Sequence, residues 1–228
     1  MTTKSDSAAT QPTVRARPAL FRALGHQEPP EFVEINQRRY QRVETYKHDS
    51  WAATGLYRHE DDLVVCKFNR EQPIFLLPMK WLGRRLARRE GMLLQKLADV
   101  PQVPAWSGTV CVDGQPRKTA VAHTFIPGHP LRYKQHVNDD FFPVLNETLQ
   151  QVHDCGVAYV DLHKRENVLV DDEGRPWLID FQVGFWRPRS KVMAGLTNWL
   201  LKFLQQSDHY HLAKHVRVNR PDQFHGDI

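Results

Sequence analysis

Acidic and amide side chains that could bind a metal ion flank a predicted hairpin in the second half of the chain. Asn167 and Asp180 stand at its two ends, and residues 168–170 and 177–179 are its predicted strands. Oxygen ligands placed in this way converge on one point, and a hard cation such as Mg²⁺ prefers oxygen. Asp161 adds a carboxylate a few residues upstream. Each of these residues alone could equally be a turn or capping residue, because Asp and Asn are common there.

The first half of the chain has the pattern of an antiparallel sheet interrupted by one helix. Runs rich in Tyr, Val and Thr alternate with polar turns. The predicted strands are residues 40–46, 51–58, 63–68, 108–112 and 119–126. A leucine period close to 3.6 predicts a helix over residues 81–97, which Pro101 ends. Asp113-Gly114 favours a tight turn between the last two strands, so residues 31–126 are expected to form one five-stranded unit with one helix.

Residues 127–228 are predicted to form a second, mainly helical unit. It opens with the breaker-rich segment Pro127-Gly128-His129-Pro130. The apolar side chains that predict its first helix are Phe141, Leu145, Leu149 and Val152. A final helix is predicted over residues 191–214. The side chains expected to face the core from that helix are Leu196, Trp199, Leu200, Phe203 and Leu204.

Two sequence motifs resemble those of the protein-kinase-like fold. The catalytic loop and metal-binding segment of that family are similar to Tyr159-Val-Asp-Leu-His-Lys-Arg-Glu-Asn-Val-Leu-Val170 followed by Leu178-Ile-Asp-Phe-Gln182. The lysine-bearing strand of the family is similar to Val64-Val65-Cys66-Lys67. The likeness covers residues 39–186, and the short second unit resembles the small bacterial lipopolysaccharide kinases and the RIO-like group. It implies an α+β, two-lobed protein-kinase-like fold with a reduced C-terminal lobe.

The resemblance implies a role for each of five residues. Asp161 would orient or deprotonate the hydroxyl group of an acceptor. Asn167 and Asp180 would hold Mg²⁺ against the phosphates of ATP. Lys67 would bind those phosphates, positioned by an ion pair with Glu90. Taken singly, Lys67 could be an exposed strand lysine and Glu90 a residue of the helix surface.

The other nucleotide contacts implied by the resemblance depend on backbone groups. Thr124 and Ile126 match the family's hinge, where a backbone carbonyl and amide receive adenine. The turn from Lys47 to Ser50 matches the phosphate-binding loop but has no glycine, so both residues are expected to help its backbone donors reach phosphate. A second departure lies between Asp161 and Asn167, which enclose one residue more than the family's pattern. This difference predicts a bulge in the loop.

The function implied by the resemblance is that of an ATP-dependent kinase that uses Mg²⁺ and transfers the γ-phosphoryl group to a hydroxyl acceptor. We favour an anionic acceptor such as a lipopolysaccharide-core sugar or a similar glycolipid. A protein serine/threonine kinase and a RIO-like ATPase are alternatives with the same residues. A pseudokinase that only binds is a further alternative, favoured by the missing glycine loop. The intact set of charged and metal-binding residues argues against it.

The composition is that of a folded globular protein with anionic partners. Hydrophobic residues make up 41% and charged residues 25% of the 228 residues, and the net charge is +5. Three cysteines without a CxxC pair favour a reducing compartment. No apolar run approaches the roughly 20 residues of a bilayer span. We expect a cytoplasmic monomer, with residues 1–30 as a mobile tail and nucleic acid not favoured as a partner.

Basic residues cluster beside an apolar run at the start of the predicted helix. The basic residues are Lys80, Arg84, Arg85, Arg88 and Arg89, and the apolar run begins with Ile74-Phe75-Leu76-Leu77. We favour a helix that packs on the sheet with a solvated basic face. The alternative is a basic amphipathic segment that contacts an anionic membrane, at its inner face, or a phosphorylated glycolipid. A second cluster, His209, His211 and His215, is expected to lie on the surface rather than to bind metal.

Overall fold

The computed structural model describes residues 18–186 and 194–224. Within them the protein has an α+β structure, as predicted. The helices are α1 (Lys80–Lys96), α2 (Phe141–Asp154) and α3 (Ala194–Asn219). The strands are β1 (Phe32–Ile35), β2 (Arg38–His48), β3 (Ala52–His59), β4 (Asp62–Asn69), β5 (Trp106–Gly108), β6 (Cys111–Val112), β7 (Gln115–Pro116), β8 (Ala120–Thr124), β9 (Gly128–Pro130), β10 (Val157–Ala158), β11 (Val168–Asp171), β12 (Pro176–Leu178) and β13 (Phe185–Trp186).

The main sheet is antiparallel and has eight strands in the order β5-β8-β4-β3-β2-β1-β6-β7. The five-stranded prediction was wrong here, because residues 108–112 do not form one strand. Gly108 has a φ of +130°, which ends β5, and β6 then pairs with β1 on the far side of the sheet. Asp113-Gly114 joins β6 to the short β7 and not to β8. Since β5 and β6 are neighbours in the chain but lie far apart in strand order, the sheet curls round on itself.

The strand that carries the candidate lysine, β4, lies inside the sheet and is covered on both faces. Val64, Cys66 and Phe68 belong to the cluster of buried apolar side chains on one face. Lys67 alternates with them and therefore points to the other face, on which α1 packs. Gly83 permits this close packing, since a Cβ atom there would lie 2.3 Å from the carbonyl oxygen of Arg70.

The second half of the chain contains the predicted α2 and hairpin. The four side chains that predicted α2 are all fully buried in the larger apolar cluster. β11 and β12 form the predicted hairpin, and β9 adds a third strand. The hairpin ends one residue before Ile179 and two before Asp180.

The prediction for the core-facing side of α3 was wrong for three of its five residues, whereas Leu200 and Leu204 are partly buried. Leu196, Trp199 and Phe203 are 57%, 63% and 56% exposed, and the buried side chains of the helix include Asp208 and His215. Trp199 and Phe203 stack on each other at the surface, with ring centroids 5.8 Å apart. The predicted start of this helix, residues 191–193, lies outside the described residues.

Residues 18–30, which we predicted to belong to a mobile tail, pack against the sheet. Ala23 and Leu24 are buried. The fully buried Arg70 ties this segment to the sheet, because its guanidinium donates to the carbonyl oxygens of Leu20 and Ser50. Residues 1–17 lie outside the described residues. None of the helices described is both long enough and apolar enough to cross a bilayer.

Candidate active site

Three charged side chains from distant parts of the chain meet beside the sheet. The ammonium nitrogen of Lys67 on β4 lies 2.6 Å from Oδ1 of Asp180 and 3.2 Å from Oε2 of Glu90 on α1. The Lys67 and Glu90 side chains are almost wholly buried, and that of Asp180 is 17% exposed. The predicted Lys67–Glu90 ion pair is therefore present, and Asp180 completes it at the edge open to solvent.

Burial and the two carboxylates act in opposite directions on Lys67. Burial by itself lowers the pKa of Lys67, but the charges of Glu90 and Asp180 outweigh it and raise that pKa. Burial raises the pKa of Glu90 to about 7, against the attraction of Lys67. For Asp180 burial also acts upward, but Lys67 outweighs it and lowers the pKa. Lys67 and Asp180 are thus an ammonium and a carboxylate at neutral pH.

The extra residue in the loop does not separate Asp161 from Asn167. The loop between them ends in a short 3₁₀ helix, Arg165–Asn167. The Asn167 side-chain amide donates to Oδ2 of Asp161 at 3.0 Å, and the Lys164 ammonium donates to the same oxygen at 2.8 Å. Two donors therefore fix the Asp161 carboxylate, which is almost fully buried.

Helix α3 holds the backbone on the N-terminal side of Asp161. The fully buried Asp208 carboxylate accepts hydrogen bonds from the backbone amides of Tyr159 at 2.8 Å and Val160 at 2.7 Å. Two helical turns further along α3, the His215 ring donates to the carbonyl oxygen of Leu162 at 2.6 Å. Val160 has a φ of +74°, which is unfavourable for a β-branched residue, so these contacts maintain a strained backbone next to Asp161.

The hairpin places the two predicted metal ligands next to each other. The backbone amide of Ile179 donates to the carbonyl oxygen of Asn167 at 3.0 Å, so Asp180 follows directly beside Asn167. Asp180 has a φ of +62°, a second strained position. The Tyr159 hydroxyl donates to the Ile179 carbonyl oxygen, which links this segment to the Asp161 loop.

The donor set fits Mg²⁺ bound together with phosphates. Asn167 uses its NH₂ group on Asp161, which leaves its side-chain oxygen for a cation. Asp180 supplies carboxylate oxygens. Mg²⁺ in nucleotide sites is usually held by one or two protein ligands plus phosphates and water. The described residues include no group of three or more His, Cys, Asp or Glu arranged for a metal ion.

A cleft of about 600 Å³ lies over these groups, with an apolar end and a charged end. The apolar end is formed by Val65, Phe125, Ile126, Leu169 and Ile179. The charged end includes Lys47, Lys67, Glu90, Asn167 and Asp180, and the acidic Glu44 and Glu166 also line the cleft. The structure thus brings Lys67, Glu90 and Asp180 together with Asn167 at one cleft. Asp161 contacts Asn167 but is not among the residues that line the cleft.

Two predicted nucleotide contacts are placed differently. The Ser50 hydroxyl donates to the Phe21 carbonyl oxygen at 3.3 Å and does not line the cleft, so its prediction was wrong. The Thr124 amide donates to Ala105 at 2.9 Å, and the Thr124 carbonyl oxygen accepts from the His123 ring at 2.9 Å. Thr124 therefore has no free backbone donor, whereas the Ile126 amide contacts no acceptor within the described residues.

The turn that follows Lys47 does not form a phosphate loop from its backbone donors. The Asp49 carboxylate accepts from the amides of Trp51 at 2.8 Å and Ala52 at 3.0 Å. The Ala23 amide in turn donates to the Asp49 carbonyl oxygen, so residues 18–24 cover the turn. Of the residues from Lys47 to Ser50, only Lys47 lines the cleft. Burial raises the pKa of Asp180, whereas the charge of Lys67 and, to a smaller extent, that of Lys47 lower it.

Sequence reasoning missed Lys164, Asp208 and His215 as site residues. Lys164 was visible as a cation three residues after Asp161 in the motif. Asp208 was visible only as a polar residue of the helix predicted over residues 191–214, and His215, one residue past that helix, only as a member of the histidine cluster. His215 is buried, so the prediction of a surface histidine cluster holds for only part of that set.

In comparisons with models of protein families and with curated proteins, nothing matches the chain.

Proposed function

We propose that this protein is an ATP-dependent kinase with a two-lobed, protein-kinase-like arrangement and a reduced C-terminal lobe. The observation that carries the proposal is the contact of Lys67 with both Glu90 and Asp180, at a cleft that also contains Asn167. A buried lysine held by two carboxylates at a cleft is an arrangement suited to binding phosphate. A purely structural ion pair would not need the open cleft.

The chain's own cations would hold the phosphates. Lys67 and Lys47 line the charged end of the cleft, and Lys164 stands beside Asp161. Mg²⁺, held by Asn167 and Asp180, would neutralise phosphate charge and align the γ-phosphoryl group. The Asp161 carboxylate would accept the proton of the acceptor hydroxyl as its oxygen attacks phosphorus and the bond to ADP breaks.

The apolar end of the cleft suits a purine base. Its aliphatic and aromatic side chains offer two faces between which a flat ring could pack. The Ile126 amide, which has no acceptor among the described residues, could donate to a ring nitrogen. Adenine recognition through Thr124 is less favoured, because its backbone groups are already engaged.

The surface around Arg165, four residues after Asp161, favours an anionic acceptor. Tyr133 is 60% exposed, and the Arg165 guanidinium lies 5.0 Å and the Lys134 ammonium 5.4 Å from the centre of its ring. An exposed aromatic ring can stack on a sugar, and cations beside it can bind phosphate or carboxylate groups. A lipopolysaccharide-core sugar or a similar glycolipid has this chemistry, and a cytoplasmic, monomeric enzyme would meet it at the inner face of the membrane.

The test is to incubate the protein with Mg²⁺, γ-labelled ATP and a fractionated cell extract. We expect label in a glycolipid fraction, and no label with Asp180→Ala or Asp161→Asn. Asp172→Asn, an exposed carboxylate in the turn of the hairpin, is the matched control and should transfer normally. Label in protein would instead favour a protein kinase, and variant-sensitive release of free phosphate alone would favour an ATPase. Nucleotide binding without transfer in any fraction would favour the pseudokinase alternative.

A further inference from the structure

A tight turn before α1 exposes consecutive large apolar side chains. The backbone amide of Ile74 donates to the Leu77 carbonyl oxygen at 3.1 Å, and the Leu77 amide donates back at 2.9 Å. At the tip, Phe75 and Leu76 are 84% and 98% exposed, and Leu77 is 67% exposed. We call Phe75, Leu76 and Leu77 together the apolar tip. Folded proteins seldom leave contiguous apolar side chains in water without a binding role.

The backbone of the apolar tip is also unusual. Phe75 has a φ of +51°, in the left-handed region that a bulky aromatic residue rarely adopts. This conformation directs the chain back on itself and keeps the tip out of the core. Strain of this kind persists where surrounding contacts impose it, and it is concentrated at binding sites.

The surface beside the apolar tip is predominantly basic. Lys80, Arg84, Arg85 and Arg88 are exposed on the first turns of α1, and Trp81 between them is 57% exposed. The first acidic residue of α1 is Glu90, which is buried against Lys67. Glu71 forms ion pairs beside this face: its carboxylate lies 3.6 Å from the Lys80 ammonium and 2.9 Å from the Arg117 guanidinium.

The basic face of α1 does not account for the tip. The helix packs on the sheet through its other face, including Ala87, Leu93 and Leu94, as the favoured sequence prediction had it. That packing leaves a solvated basic face but requires no apolar turn beside it. An apolar wedge next to clustered cations, with an aromatic residue between them, is the chemistry of a peripheral membrane site.

We propose that the apolar tip and the basic face of α1 bind an anionic lipid bilayer. Phe75, Leu76 and Leu77 would enter the boundary between headgroups and acyl chains, with Trp81 at headgroup level. The arginines would contact anionic headgroups. A protein partner is less favoured, because a docking patch for protein would not require a cluster of exposed cations around a protruding apolar turn. This proposal does not depend on kinase activity.

The test is sedimentation with lipid vesicles, either of phosphatidylcholine alone or with about one-third phosphatidylglycerol. We expect binding to the anionic vesicles only, weakened by salt because the charges are exposed. The partition coefficient of the protein onto the anionic vesicles should fall roughly tenfold or more in Phe75→Asn/Leu76→Gln, because two apolar side chains are no longer buried in the bilayer. Replacing Arg84, Arg85 and Arg88 by Gln should cost about fivefold for each charge.

Two controls separate this surface from others. Trp199→Gln/Phe203→Gln removes a comparable exposed aromatic pair from α3 and should leave vesicle binding unchanged. Asp180→Ala should also bind vesicles normally, so that loss of catalysis and loss of membrane binding are distinguishable. Unfolding curves check that each variant is folded.

The proposal is wrong if wild-type protein binds both vesicle types equally or neither. It is also wrong if the Phe75/Leu76 variant binds like wild type, or if the α3 pair is the one whose loss abolishes binding. Concentration-dependent self-association that the Phe75/Leu76 variant loses, without vesicle binding, would reassign the tip to a protein interface.

Discussion

Replacing Asp208 with Asn is expected to destabilise the fold and to displace the loop that carries Asp161. The Asp208 carboxylate is fully buried and accepts from the amides of Tyr159 and Val160 and from the His153 ring at 3.0 Å. Asn offers one oxygen and one NH₂ group in the same place. At least one of the three donors would therefore face another donor.

The expected cost follows from this count of hydrogen bonds. A buried donor left without an acceptor costs about 1–3 kcal/mol, and loss of the charge weakens the hydrogen bonds that remain. We expect the free energy of unfolding to fall by about 2–4 kcal/mol, which for a chain of this length lowers Tm by roughly 5–15 °C. Denaturant unfolding followed by tryptophan fluorescence measures it, with the exposed Asp172→Asn as the matched control.

A second readout tests the link between Asp208 and the site. The hydrogen bond from the Val160 amide helps to hold that residue at a φ of +74°, and its loss would let the backbone relax and move Asp161. Under conditions where the variant is folded, phosphoryl transfer should fall while ATP binding, which uses Lys67 on β4, changes little. Unfolding of Asp208→Asn at the wild-type denaturant midpoint would refute the reasoning.

Three further predictions concern the acceptor surface, the thiols and acid stability. Arg165→Gln should raise the KM for an anionic acceptor about tenfold but leave the KM for ATP unchanged, because Arg165 flanks Tyr133 and does not line the cleft. Steady-state kinetics in which both substrates are varied measure the two KM values. Burial raises the pKa of the Cys66 thiol and excludes solvent, so a thiol reagent should modify Cys111 and Cys155 in the native protein and Cys66 only on unfolding. Lys67 holds the pKa of Asp180 below its ordinary 3.8 despite burial, so in acid the unfolded chain binds more protons at this residue than the folded protein does. The stability that Asp180 contributes is therefore lost as the pH falls from 3.8 through the folded pKa. In unfolding measured against pH, Asp180→Asn should show a shallower loss of stability below pH 3.8.

The parts of the fold with strong local patterns could be predicted from the sequence. The run of strand-forming residues in β4 and the leucine period of α1 predicted both elements, and the motif then paired Lys67 with Glu90. The hairpin between Asn167 and Asp180 was predicted from turn residues between two apolar runs. In each case one face meets the core, so the apolar pattern and the structure coincide.

Prediction failed where polar groups are buried to serve the backbone of another segment. On α3 the apolar period indicated Leu196 and Phe203 as inward, yet the helix buries Asp208 and His215 against the loop around Asp161. The sequence of α3 alone does not indicate where the amide and carbonyl groups of that loop lie. The covering of the turn after Lys47 by residues 18–24 is likewise a long-range contact with no local signal.

The form of the phosphate site suggests a final prediction. Asp49 occupies the amides of the turn between β2 and β3, so phosphate binding would depend on ammonium groups rather than on a backbone cradle. The Lys47 side chain is half exposed and lies 3.8 Å from Asp49, so salt screens it more than it screens the buried Lys67. Lys47→Met should therefore raise the KM for ATP about fivefold at low ionic strength and reduce the rise of that KM with added salt. Ser50→Ala is the control and should change neither value, because Ser50 donates to Phe21 away from the cleft. Equal effects of the two substitutions would mean that the turn itself, and not the Lys47 charge, contacts the phosphates.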